Sequence, residues 1–435
     1  MMMQSLFDVV RQAPAMQVWG KVTNIVGVLV QGYCPNVSVG SLCEIVPEGG
    51  ESPVQAEVVG FRDAMALLMP LGELRGLAPG NLIKVLDSSA TLPVGEDMLG
   101  RVLDAMGYPI DGKGPLSLPR SRMIYAQPPG PMERAQISVP LDVGVSSING
   151  LLTCGLGQRL AIMAGSGVGK STLMGMIARD SKASINVIAL IGERGREVRE
   201  FIENDLGPEG LKRSVVIVAT SDQSPVLRMR GAFAATAVAE HFADQGEDVM
   251  LIMDSVTRYA MANREIGLAV GEPPTTKGYP PSVFAKLPKF LERAGNFKKG
   301  GSITGLYTVL VEGDDMNEPV ADTVRSILDG HIVLDRRLAN KNHYPPIDVL
   351  QSASRLMRQV VDEEHLQYSA QIQNVLATYR ESEDLVTIGA YTPGTNRALD
   401  DALNRIESVN EFLTQDKDEH VSLEETRAVM QQVCS

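Results

Sequence analysis

Leu160-Ala161-Ile162-Met163-Ala164-Gly165-Ser166-Gly167-Val168-Gly169-Lys170-Ser171-Thr172-Leu173 is the stretch on which the chain turns. A short apolar run, a glycine-rich turn and a second apolar run starting at Leu173 predict a buried strand, a tight loop and the start of a helix. Glycines without Cβ let successive backbone N–H groups converge on phosphate oxygens, and the helix N-terminus adds a partial positive charge. Gly165, Ser166, Gly167, Val168, Gly169, Lys170, Ser171 and Thr172 are therefore the candidate phosphate-binding residues. Lys170 supplies a full positive charge, and the Ser171 hydroxyl is a magnesium ligand in a loop of this type. Where the usual pattern begins with glycine, this chain has Ala164. The alternative is a glycine-rich turn that binds nothing. A strand before it and a helix after it favour the nucleotide.

Outward from this loop, the 435 residues are too many for one core, so two or three domains are expected. No apolar run approaches the ~20 residues that span a bilayer, and the first residues lack the pattern of a secretion signal. Four cysteines without C-x-x-C spacing predict neither a disulfide framework nor a metal cluster, which fits a reducing cytoplasm. A net charge of −13 argues against binding nucleic acid over the whole surface.

Gln4 to Ala13 reads as a short helix, either a frayed terminus or a helix that docks on a partner or a membrane surface. From Val18 to Asp87, short apolar segments alternate with turn residues at a spacing that predicts a small all-β barrel. These segments are Lys21–Val30, Ser41–Val46, Gln55–Phe61, Ala66–Met69 and Asn81–Leu86. Pro93 to Pro131, rich in Pro and Gly, reads as a connector laid over a surface. From Gly155 the rhythm becomes strand then helix. Asn186–Ile191, Ser214–Ala219, Val249–Met253 and Ile303–Leu310 are continuous apolar runs, expected of parallel strands covered on both faces. After Tyr344 the strands are expected to stop. One helical face runs from Leu356 and Val360 through Leu366 to Tyr379, a second through Leu399, Leu403, Ile406, Val409 and Leu413, and Ser422 with Glu425 offers a capping box for a last helix.

Hydrolysis needs more than a cradle: a metal, an oriented water and positive charge on the transition state. Asp254, at the end of the run Val249–Met253, is the candidate for the magnesium shell. Glu193, at the end of Asn186–Ile191, is expected on a strand next to the phosphate strand, facing the ligand crevice, where it would polarise the attacking water. Arg194 either orients that water or pairs with neighbouring acids.

Tyr344-Pro345-Pro346-Ile347-Asp348, followed by Ser352-Ala353-Ser354-Arg355, resembles the mark of the rotary-ATPase α/β superfamily of RecA-like hexamers. Gly192–Val198, Gly150–Arg159, Gly100–Asp104, Pro109–Gly112 and Gly278–Phe284 narrow the likeness. From about Val18 to its end the chain resembles the export ATPases of flagellar and injectisome type III secretion systems. That resemblance implies an α/β fold: a RecA-like parallel-sheet ATPase core with an N-terminal small β-barrel and a C-terminal helical domain. Expected boundaries are 1–17 for a partner-docking segment, 18–90 for a barrel that serves oligomerisation, 91–348 for the ATPase domain and 349–435 for the helical domain. It also implies ATP and Mg²⁺ as ligands, Tyr344 stacked on the adenine, and Arg355 as an arginine finger entering a neighbouring subunit's site. With Lys170, Glu193, Asp254 and Arg355 on one chain, a homo-hexamer could form six equivalent sites.

Implied partners are a stator or regulator protein at the N-terminus, a central stalk protein, export-gate membrane proteins and chaperone–substrate complexes, at the inner face of the cytoplasmic membrane; no nucleic acid is expected. Ile388–Thr395 lacks the acidic loop that rotary synthases turn against their shaft, which favours the secretion branch. The phosphate loop together with Gly389-Ala390-Tyr391 and Gly394 leans towards the flagellar type over the injectisome type. An RNA-translocating hexamer is the reading from another class. Residues 18–87 hold only Trp19, Tyr33 and Phe61 as aromatics for stacking bases, which ranks it low. A non-catalytic rotary head subunit is the third, and Glu193 speaks against it.

Overall fold

The computed structural model describes residues 19–49, 52–311, 313 and 315–435. The expected helix Gln4–Ala13 lies outside them. Among the described residues, no helix is long and apolar enough to cross a membrane.

Six antiparallel strands close a barrel first: β1 (Trp19–Val26), β2 (Leu29–Tyr33), β3 (Leu42–Val46), β4 (Val54–Arg62), β5 (Met65–Pro70) and β6 (Leu82–Asp87), in the order β1-β2-β5-β4-β3-β6. Alternate residues turn inward, so Val22, Val30, Cys43, Ile45, Val58, Leu68 and Ile83 fill the interior. The apolar run Lys21–Val30 is two strands, not one. Gly27, at φ 59°, makes the turn between them.

The stretch 93–131 is more than a connector. It contains β8 (Arg101–Asp104), which pairs in parallel with the far edge of the main sheet. It also contains β9 (Arg120–Met123), which forms a two-stranded ribbon with β7 (Thr91–Val94). Val102 and Leu103 bury β8, but a four-residue strand between prolines and glycines carries too little periodicity to be read. A second small ribbon joins β10 (Pro140–Leu141) to β11 (Cys154–Gly155).

The main sheet contains β12 (Arg159–Ala164), β13 (Ile185–Ile191), β14 (Ser214–Ala219), β15 (Asp248–Asp254), β16 (Gly295–Asn296), β17 (Ser302–Leu310), β18 (Gly330–Leu334) and β19 (Ala353–Ser354). Its order is β19-β18-β12-β17-β15-β13-β14-β8, with β16 paired to β17. Central strands run parallel; β16 and β19 are antiparallel additions, so the strands do not stop at Tyr344. Every residue of β13 and β14 is buried, because the two faces feed two cores. Val187, Ala189 and Ile191 pack into one core with the helix Pro225–Ala243, while Ile188 and Leu190 join the other under the helix Lys170–Asp180. Each such Val, Ile or Leu side chain contributes roughly 1.5–3 kcal/mol by leaving water.

Beyond the sheet the chain is helical. The face expected to begin at Leu356 is broken at Val361–Asp362, leaving a short turn Met357–Val360 and a long helix Glu363–Thr387 capped by Asp362. The helix Arg397–Leu413 follows, and Ser422 and Glu425 form the capping box of Leu423–Cys434. Ile372, Val375, Ala402, Val409, Phe412 and Met430 are continuous with the core under Lys170–Asp180. The helical segment is thus packed against the phosphate-loop side of the sheet.

Candidate nucleotide site

β12 ends in Ala164, which is buried and stays in the strand, its carbonyl accepting from the N–H of Val311 at 3.0 Å. A residue in ordinary extended backbone does not require glycine, which accounts for the alanine there. The left-handed conformations fall at Gly167 (φ 73°) and Gly169 (φ 103°), where glycine is needed. Val168 anchors the loop in the core, and the helix begins at Lys170 with its first N–H groups free to bind an anion. Ser166 lends its carbonyl to Arg336 Nη2 at 2.9 Å. Ser171 is exposed at the head of the helix.

Three charged side chains meet beside this loop. Lys170 Nζ lies 2.5 Å from Asp254 Oδ1 and 3.8 Å from Glu193 Oε1. Thr308 on β17 donates its hydroxyl to Asp254 Oδ1 at 2.7 Å. Glu193 Oε1 is buried and has no hydrogen-bond partner. Burial, and next the charge of Asp254, push the Glu193 carboxyl up to about 7, with Lys170 opposing. Two carboxylates share one ammonium, and Asp254 with the Ser171 hydroxyl offers the hard oxygen donors that suit magnesium.

One expectation about Glu193 is corrected. Its strand β13 is not next to β12; β17 and β15 stand between them. Glu193 reaches the loop because the chain turns at Gly192 (φ 74°) as it leaves β13. A Cβ at Gly192 would stand 2.8 Å from Arg258 Cβ, so glycine is required twice over. Arg258 itself escaped the sequence reading. Its Nε is buried without a hydrogen-bond partner, and its charge draws the Glu193 carboxyl downward.

Arg194 stands apart from the cluster. Its side chain is 81% exposed and its ion-pair partner is Glu197, at 3.7 Å. Of the two roles expected for Arg194, this geometry matches pairing with a neighbouring acid.

Tyr344 is half exposed and flanks the loop, a Cβ at Gly169 lying 3.9 Å from its Cε1. Thr172, Tyr344 and Pro346 line a cleft of about 550 Å³ together with Thr414, Gln415, Asp416 and Lys417. Neither Thr414–Lys417 nor Thr308 carries a local sequence signal; distant parts of the chain bring them here.

Arg355 lies elsewhere. It is exposed beside the edge strand β19, its N–H bonded to the Asp329 carbonyl and its Nη2 to the Arg325 carbonyl. Asp329 N–H bonds the carbonyl of Arg159, the first residue of β12. Arg355 is therefore level with the opposite end of β12 from the phosphate loop, about five strand rises or ~17 Å along the sheet. It is out of reach of its own site.

Known proteins resemble this chain over nearly its whole length. Residues 144–354 match the ATP synthase alpha/beta family nucleotide-binding domain, and residues 361–432 match the T3SS EscN ATPase C-terminal domain. The chain is 52% identical to the flagellum-specific ATP synthase of Bacillus subtilis, covering 98% of both chains. It is 49% identical to the type 3 secretion system ATPase of Xanthomonas euvesicatoria, over 95% of this chain and 94% of that one. The assembled ATPase EscN of enteropathogenic E. coli superposes with a TM-score of 0.90 at 45% identity, over 96% of this chain and all of that one. EscN in complex with its central stalk EscO superposes at 0.88.

Proposed function

Because this chain belongs to the ATP synthase alpha/beta family and, within it, to the type III export ATPases, we propose that it hydrolyses ATP in six sites shared between neighbouring copies of itself. The observation that carries this reading is the division of the charged groups. Lys170, Glu193 and Asp254 converge at the phosphate loop, while Arg355 stands at the open edge of the sheet, out of their reach.

In this mechanism the loop N–H groups and Lys170 hold the phosphates, and Tyr344 stacks on the adenine. Ser171 and Asp254 would hold Mg²⁺, which would supply charge neutralisation at the phosphate oxygens. Glu193, poised near neutrality, orients the attacking water and takes its proton. Arg355 of the adjacent copy neutralises charge developing on the transferred phosphoryl group. Arg194, though exposed in the single chain, stands one residue from Glu193 and is retained as a candidate for orienting the water once a neighbour covers it.

At the level of the machine, we read the chain as the cytoplasmic motor of a flagellar export apparatus that releases, unfolds and delivers chaperone-bound substrates. The extent of identity to flagellar relatives supports the flagellar branch. EscN's complex with EscO supports a central stalk protein here as well. A regulator at residues 1–17 and export-gate proteins at the membrane complete the proposed set.

Mixing two inactive variants tests the shared site. Glu193→Gln subunits keep the finger, and Arg355→Ala subunits keep the glutamate. Combined, they should recover hydrolysis at interfaces that pair an intact glutamate with an intact finger; absence of recovery in mixed rings overturns the shared site.

A further inference from the structure

The connection after the helix Arg397–Leu413 lines the base cleft together with Tyr344, and one buried side chain holds it there. Gln415 is 6% exposed. Its backbone N–H donates to the Tyr344 carbonyl at 2.9 Å. Its side-chain Oε1 accepts from the N–H of Ser146 at 2.9 Å, and its Nε2 donates to the carbonyls of Gly144 and Glu419, both at 2.8 Å. Ser146, in turn, donates its hydroxyl to the Phe412 carbonyl at the end of the same helix. The side-chain amide thus spends its oxygen and both its N–H groups on Gly144, Ser146 and Glu419, while the backbone N–H of the same residue makes the link to Tyr344; Gln415 lines the cleft, but its amide is engaged within the protein.

We infer that Gln415 is a positioning residue for the nucleotide base: it fixes the Tyr344 backbone relative to the C-terminal helices, so that these helices set nucleotide affinity from outside the phosphate site. This inference rests on the reading of Tyr344 as the base-stacking residue. Chemically, Gln415 touches no reacting group. Its effect reaches the ligand through Tyr344 and the cleft wall, and a displacement of the helix Arg397–Leu413 is transmitted to the base and not to the phosphates.

That asymmetry is the test. Binding of ADP, which uses both base cleft and phosphate loop, is compared by calorimetry with binding of inorganic pyrophosphate, which uses the loop alone. The full-length protein carries Gln415→Ala, Gln415→Glu or Tyr344→Ala. Leaving buried backbone groups unpaired in Gln415→Ala should weaken ADP about tenfold. Gln415→Glu, of the same size, keeps the acceptor for Ser146 but faces two carbonyls with an oxygen, and should weaken ADP by at least about threefold. Pyrophosphate affinity should stay within about twofold in both, since the loop keeps its own N–H groups. ADP and pyrophosphate weakening together in Gln415→Glu, including through failure to fold, overturns the inference, as does unchanged ADP affinity. Should Tyr344→Ala leave ADP binding unchanged, it is the base-stacking reading that fails.

Discussion

Burial and the charge of Asp254 favour the neutral form of Glu193, while Lys170 and Arg258 favour the carboxylate, and the balance falls at about 7. A base must be ionised to accept a proton. With its carboxyl raised, Glu193 is protonated below neutrality and ionised above it. In the assembled enzyme, kcat/KM for ATP should therefore fall about tenfold per pH unit below roughly pH 7 and level off above it. Initial rates across pH 5.5–8.5 check this, and a profile flat down to pH 5.5 overturns the assignment. Glu193→Gln should lose the acid limb and lower kcat by about 10²–10⁴, with ADP affinity unchanged. Gly192 offers a second test. Alanine there adds a Cβ against Arg258 at a positive φ, so Gly192→Ala should lower stability by about 1–3 kcal/mol, read from urea unfolding, and disturb the glutamate.

At the scale of elements, the barrel is tied to the core by a buried pair that spans 173 residues of sequence. Arg230, in the helix Pro225–Ala243, meets Glu57 Oε2 at 3.1 Å, and the Tyr125 hydroxyl donates to Glu57 Oε1 at 2.5 Å. Both charged side chains are almost wholly buried, and burial raises the Glu57 carboxyl. Arg230→Met should destabilise the protein by about 3 kcal/mol in urea unfolding, because it strands Glu57, and adding Glu57→Gln should recover part of the loss. No local pattern reveals this pair. What the sequence made legible is what local physics decides: the phosphate loop between a strand and a helix, the unbroken apolar runs of β13, β14, β15 and β17, and the capping box of Ser422 and Glu425. What stayed hidden depends on the order in which strands pair. β8 is too short to show a period, and β17 and β15 come between β12 and β13 through crossovers that neither strand encodes. Thr308 and Gln415 likewise acquire their neighbours only when the chain closes.

Across the whole molecule, the separation of Arg355 from its own phosphate loop is what the proposed shared site turns into a dependence of catalysis on assembly. On that proposal a lone subunit would grip nucleotide with its loop, Lys170 and Tyr344 but meet the transition state without the finger, a deficit of about 10³ or more in rate. Specific activity should therefore rise with protein concentration, more steeply than dilution alone explains, and reach a plateau once rings are complete. Sedimentation measured over the same concentrations should place the rise where the hexamer forms. Arg355→Ala should assemble as the parent does, since its side chain is exposed and bonds the Arg325 carbonyl of its own chain. Its activity should remain at the low level of dilute protein at every concentration. If turnover were the same in dilute and concentrated enzyme while sedimentation reported a change from monomer to ring, Arg355 would have no part in the chemistry. The reason to expect otherwise is geometric: a lysine and two carboxylates meet at the phosphate loop of one chain, while the arginine proposed to complete them is exposed at the far edge of the sheet, open to a neighbouring copy.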